Sequence, residues 1–183
     1  MTDKGVLQSR RVASYINQRP DIIVHSPYIR TLQSARMTMD KFPDVPVEEW
    51  PVQEFIYLHH EAYRQTTQAD RQPAVTEYWQ QNSPALKASL EAESFIEFID
   101  RMRLLVEKLV SRKGHVIIFT HGHVIRAMIW KVITGALNND EAAMMRYRSL
   151  RQALPVPNAA ILKITLDELE LQMSQLITAH LEQ

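Results

Sequence analysis

Residues 115–126 read HVIIFTHGHVIR. Val116, Ile117, Ile118 and Phe119 form an apolar run of the kind found in a parallel strand buried on both faces. Thr120, His121 and Gly122 interrupt it, and apolar residues then recur at helical spacing as far as Gly135, a helix-stop residue. A strand that runs through His-Gly into a helix is one half of a parallel α/β unit.

The same alternation extends outward from this stretch. Upstream, Thr2 or Asp3 caps a helix predicted over residues 4–18, with Val6, Ala13 and Ile16 on one face and Pro20 as its stop. DIIV (21–24) is a second buried strand. SPYIRTLQSARMTMDKF (26–42) reads as a helix with Ser26 as cap, Pro27 in the first turn, and Ile29, Leu32, Ala35 and Met39 inward. VPVEEWPV (45–52) is a further strand bounded by prolines. Residues 55–93 are polar, contain Pro73 and Pro84, and scatter Tyr57, Tyr63, Tyr78 and Trp79 among charges; they read as an excursion, a lid of short helices. Phe95, Phe98, Met102, Leu105 and Leu109 form a stripe for a long amphipathic helix, and a polar helix is expected over 139–149. The tail AAILKITLDELELQMSQLI (159–177) is a strand pair turning near Asp167 and Glu168. The expected fold is α/β, a three-layer sandwich around a mostly parallel central sheet, in a single domain spanning 1–183.

Composition narrows the function. Twenty-one basic and 21 acidic residues give a formal net charge of +0, so no global field directs the chain to nucleic acid or an anionic membrane. There is no cysteine, which removes disulfide and thiolate chemistry and agrees with a cytoplasmic protein. No apolar run reaches the roughly 20 residues of a membrane span.

Ligands of parallel α/β sheets bind beyond the carboxyl ends of the strands. That rule selects HSPYIRT (25–31) and THGHVIR (120–126). His121 ends a strand, Gly122 permits close backbone approach, and the helix that follows offers N–H groups and a positive dipole end to an anion. Arg30 stands one turn into the other helix, where a guanidinium can fork onto phosphate oxygens. Glu54 follows the third strand, as a general acid or as a cap or ion-pair partner. Each alone has an ordinary structural explanation. Their shared position points to one cavity and to phosphoryl chemistry, in which cations stabilise the equatorial charge and an acid protonates the leaving oxygen. The rival is a metal site built on His121 and His123, but no third ligand follows at suitable spacing, so no metal and no cofactor are expected. His59 and His60 fall in the polar excursion, and His25 touches the pocket by position alone.

These residues resemble the histidine phosphatase superfamily, the phosphoglycerate mutase-like fold. THGHVIRAMI (120–129) is similar to its second-histidine motif, and HSPYIRTLQSA (25–35) to its Ser-Pro-x-x-Arg-(Thr/Ala) segment. VQEF (52–55), AESFIEFIDR (92–101) and VPNAAILKI (156–164) resemble its acid-bearing element, its Glu-Ser helix start and its late Asn-bearing strand, in the family's order. The resemblance implies that His121 is the second catalytic histidine, contacting phosphate with Gly122, that Arg30 clamps the phosphate, and that Glu54 donates the proton. It implies phosphomonoester hydrolysis, or mutase transfer, through a phosphohistidine, on a small phosphorylated substrate or inorganic phosphate, without metal. Tyr57, Arg64 and Arg71 are the candidates by which the lid region selects the leaving group.

TDKGVLQSRR (2–11) resembles the family's Leu-Thr-x-Lys-Gly-x-x-Gln helix start, with Met1 where leucine is usual. In the family that helix follows a strand ending in Arg-His-Gly, whose histidine is the nucleophile. No Arg-His-Gly occurs in these 183 residues. The expectation is therefore a histidine phosphatase domain that lacks its nucleophile strand and has little or no activity, through a miscalled start. The alternative is a non-catalytic phospho-ligand binder. An uncovered gap in the sheet would favour association into a homo-oligomer.

Overall fold

The computed structural model describes residues 1–58, 66–167 and 170–181. The chain divides into two compact units, one of residues 1–54, 105–125 and 156–183, the other of 55–104 and 126–155.

The first unit is built on a parallel sheet. Helix α1 (Asp3–Tyr15) starts at Thr2, whose Oγ1 accepts the Gly5 N–H at 3.2 Å. It buries Ser9, Val12 and Ala13, a face turned slightly from the expected one, and ends well before Pro20. Strand β1 (Ile22–His25) is fully buried at Ile22, Ile23 and Val24. Helix α2 (Ile29–Lys41) packs over it, and strand β2 (Val47–Glu49) pairs with it in parallel, Ile23 opposite Val47. On the other side β1 takes strand β3 (Val116–Phe119), also parallel, with His25 opposite Phe119. The order β2-β1-β3 sends all three strands the same way, so their carboxyl ends gather at one rim.

The turn into β3 requires glycine. Gly114 has a φ of 101°, and a Cβ there would run into the Asp21 carboxylate. That carboxylate accepts the His115 N–H at 2.7 Å and aligns the start of β3 with the start of β1.

Two expectations for α2 are corrected. Tyr28, not Ser26, occupies the N-cap and makes no side-chain cap, so Pro27 lies outside the first turn. Ile29 is 67% exposed, and the buried face is Thr31, Ala35 and Thr38. The Ser26 hydroxyl is engaged by Thr31 and by the distant His121, so it does not cap and the helix starts later.

The tail forms an antiparallel pair, strands β4 (Ile161–Asp167) and β5 (Glu170–Ile177), in a sheet of its own. Among the described residues no strand lies on the edge of β3 away from β1. Ser26 donates its N–H to the Phe119 carbonyl, so by strand alternation Ile117 and Phe119 face β1 while Val116 and Ile118 face that open edge. All four β3 residues are only half-buried, in contrast to the buried Ile22, Ile23 and Val24 of β1.

The second unit has an aromatic core. Helix α3 (Gln68–Gln81) opens with a Thr67–Asp70 capping box and places Tyr78 and Trp79 inward. Phe55 stacks on Phe98 of helix α4 (Phe95–Val110) at 4.5 Å between ring centroids. Tyr147 of helix α6 (Glu141–Ala153) meets Trp79, Phe95 and Phe98. Burial, then the neighbouring Tyr57 and Glu93, push the Tyr78 phenol upward, so it stays neutral. Helix α5 (Gly122–Thr134) buries Ala127, Met128, Ile129 and Trp130 and stops at Gly135, as expected, where φ is 70°. No described helix is long and apolar enough to cross a membrane.

Candidate active site

The rim where β1 and β3 end carries the candidate site. β3 delivers His121 to the N-terminus of α5, whose first turn closes when Ile125 donates to the His121 carbonyl at 3.0 Å. β1 delivers Ser26, and the loop from Ser26 to Tyr28 places Arg30 in the first turn of α2. Because β1 and β3 are neighbours, the two side chains meet. Arg30 Nε and Nη2 both lie against His121 Nδ1, at 3.2 and 2.9 Å. Arg30 is exposed while His121 is 7% exposed, so the cation faces solvent with the imidazole beneath it.

The ring is held on its other side. His121 Nε2 lies 2.8 Å from Ser26 Oγ, and Ser26 Oγ lies 2.8 Å from Thr31 Oγ1. Tyr28 sets its ring edge-on to the imidazole at 5.3 Å and carries the Arg30 guanidinium over its face at 4.6 Å. Three residues of HSPYIRT besides Arg30 thus shape the surroundings of one histidine. Ser26, Tyr28 and Thr31 were not singled out for the site in the sequence. The signal was present in the motif itself, which puts two hydroxyls and an aromatic ring within one turn of the arginine.

Glu54 reaches the same helix terminus. Its Oε1 accepts the His123 backbone N–H at 3.0 Å, a contact that caps α5. Thr120 Oγ1 ties the segments together by donating to the Val52 carbonyl at 2.6 Å. His121, Arg30, Glu54 and Gly122 therefore belong to one unit and converge on the start of α5. His25 turns its ring to the Ser26 carbonyl, with Nδ1 at 2.8 Å.

The three lid candidates are placed differently. Tyr57 is packed with Phe55, Tyr78 and Trp79, with 4.7 Å between its ring and that of Tyr78. Arg71 is exposed on the first turn of α3 and donates to the Thr67 carbonyl. Arg64 lies outside the described residues, as do His59 and His60. Among the described residues no group of three or more His, Cys, Asp or Glu is arranged around a metal position.

A buried histidine at a helix N-terminus, under an exposed arginine and beside a carboxylate, is a setting for an oxyanion. Among known families, the family model of the histidine phosphatase superfamily, branch 1, matches residues 1–174. The chain belongs to the histidine phosphatase superfamily. Several solved structures share the fold at low identity. The alpha-ribazole phosphatase of Shigella flexneri is 19% identical with a TM-score of 0.69, over 96% of this chain and 82% of that one. The phosphoserine phosphatase of Entamoeba histolytica, solved with 3-phosphoglyceric acid, is 17% identical with a TM-score of 0.67, over 99% and 86% of the two chains. A mycobacterial glucosyl-3-phosphoglycerate phosphatase is 18% identical with a TM-score of 0.65, over 94% and 85%. No match was found among curated proteins.

Proposed function

We propose that this site binds the phosphoryl group of a small phosphomonoester, and that the domain is a hydrolase acting through a phosphohistidine, whose nucleophile strand these 183 residues do not contain. The observation that carries the reading is the double contact of Arg30 with His121 at the carboxyl ends of adjacent parallel strands. Arg30 presents a planar cation that can fork onto two phosphate oxygens. His121 and the first N–H groups of α5, beginning with Gly122, supply donors for a third.

The open edge of β3 supports the second half of the proposal. A strand laid parallel to β3 would end beside His121, where a histidine could attack phosphorus in line, and would pair the Val116 and Ile118 backbone groups. In this reading Glu54 protonates the leaving oxygen. To do so it must be protonated when the ester bond breaks. Tyr57, Arg64 and Arg71 are proposed to set leaving-group preference, and an uncovered β3 edge favours self-association of the chain as it stands.

The test is turnover of p-nitrophenyl phosphate. The chain is expected to show background hydrolysis, and an otherwise identical chain extended by an upstream strand ending in Arg-His-Gly is expected to be active. In the extended chain, Glu54→Gln should slow alkyl phosphates far more than the nitrophenyl ester, whose leaving group needs no acid. Robust turnover by the unextended chain, abolished by His121→Ala, would overturn the missing-nucleophile reading. An extension that binds phosphate and remains inactive would favour a phospho-ligand-binding protein instead.

A further inference from the structure

The described hydrogen bonds that join His121 to Arg30 and Ser26 fix one set of directions. A guanidinium can only donate, so Nδ1, which receives both Arg30 Nε and Nη2, must be the ring acceptor. The proton of the neutral imidazole is then on Nε2, and it is donated to Ser26 Oγ at 2.8 Å. Ser26 Oγ also accepts the Tyr28 N–H at 3.2 Å, which leaves its own hydroxyl proton for Thr31 Oγ1. Thr31 in turn donates to the Tyr28 carbonyl at 2.7 Å, with the Ser26 carbonyl at 3.1 Å as second acceptor. Every proton has a place. The opposite tautomer would set an N–H against the guanidinium and point a lone pair at Ser26.

We propose that Ser26 is a positioning residue that holds His121 as the Nε2–H tautomer, backed by Thr31, and so makes Nδ1 the atom that meets a bound phosphate oxygen. Ser26 is 0% exposed, Thr31 5% and His121 7%, so water does not compete for these bonds and the ring has little room to turn. This rests on the proposal that Arg30 and His121 form a phosphoryl site. When an anion engages Arg30, Nδ1 exchanges its contact with the guanidinium for a proton, taken from dihydrogen phosphate, which becomes the monohydrogen dianion, or from hydronium in the solvent, and hydrogen-bonds through it to a phosphate oxygen. The imidazolium formed carries both ring protons, and the one on Nε2 stays with Ser26.

Histidine-specific 15N labelling of the full chain reads this directly. Without ligand, at a pH where the ring is neutral, His121 should show a protonated Nε2 and a non-protonated Nδ1. Saturation with inorganic phosphate should move Nδ1 to the protonated position and leave Nε2 in place. Ser26→Ala should weaken phosphate binding about fivefold, the loss of one hydrogen bond. Because Arg30 still donates to Nδ1 in the free protein, the tautomer is read beside Arg30→Ala. There, adding Ser26→Ala should turn a mainly Nε2–H ring into a mixture, Thr31→Val should do so to a smaller degree, and Thr31→Ser should restore it. A wild-type ring protonated on Nδ1 would overturn the proposal, as would Ser26→Ala that leaves phosphate affinity unchanged in the otherwise native chain and the tautomer unchanged beside Arg30→Ala. If the free protein shows the Nε2–H tautomer and phosphate moves nothing, the relay stands, and both the phosphoryl reading and the assignment of Nδ1 to phosphate fall.

Discussion

Arg30 and His121 stand 91 positions apart in the sequence, and only the pairing of β1 with β3 makes them neighbours. Their chemistry depends on shape as much as on charge. A lysine at position 30 would keep the cation but lose the fork that presents two N–H groups to one partner and the flat face that lies on Tyr28. Arg30→Lys should therefore weaken phosphate binding about tenfold with little change in stability, measured by calorimetry and urea denaturation. Glu54 shows how far residue types reach from sequence alone. Read there as a general acid or a helix cap, it makes the cap contact with His123, and the acid role additionally requires it to be protonated when the ester bond breaks.

The helices and strands were legible where their signal is local. α4 combines an apolar stripe with a Ser94–Glu97 capping box, in which the Ser94 N–H donates to Glu97 at 2.8 Å and Glu97 N–H donates to Ser94 Oγ at 3.2 Å. Ser94→Ala should cost about 1 kcal/mol in chemical denaturation. The Ser94 N–H, and secondarily the Lys87 side chain, hold the Glu97 carboxyl below its ordinary range. A carboxyl depressed on folding stabilises fully above its unfolded value and loses that contribution as pH falls through the folded one. The penalty of Glu97→Gln, which removes the carboxylate from these donors, should accordingly shrink in acid and be constant near neutrality. α2 was misread at its start because a hydroxyl that looks like a cap had a long-range partner, which no periodicity reveals. β3 carries the strongest strand signal in the chain, yet its outer edge has no described partner. Hydrogen exchange should show Val116 and Ile118 amides exchanging faster than those of Ile117 and Phe119, which face β1. Equal protection of all four would mean that the edge is covered in solution.

Across the whole molecule, the polar stretch 55–93 was the least legible. Its aromatic residues looked scattered because their partners are distant: Phe55 meets Phe98, and Trp79 meets Tyr147. Binary patterning cannot see a cluster assembled from four segments. The parallel sheet and the site at its carboxyl rim were legible, because a buried strand followed by a functional loop is a local signal repeated at β1 and β3. The account stands on the claim that Arg30 and His121 form a phosphoryl site, and calorimetric titration with inorganic phosphate tests it most directly. The wild-type chain should bind with one-to-one stoichiometry, and Arg30→Ala and His121→Ala should each remain folded and bind at least about tenfold more weakly. A wild-type chain that does not bind phosphate, or binding unchanged in both variants, would contradict it.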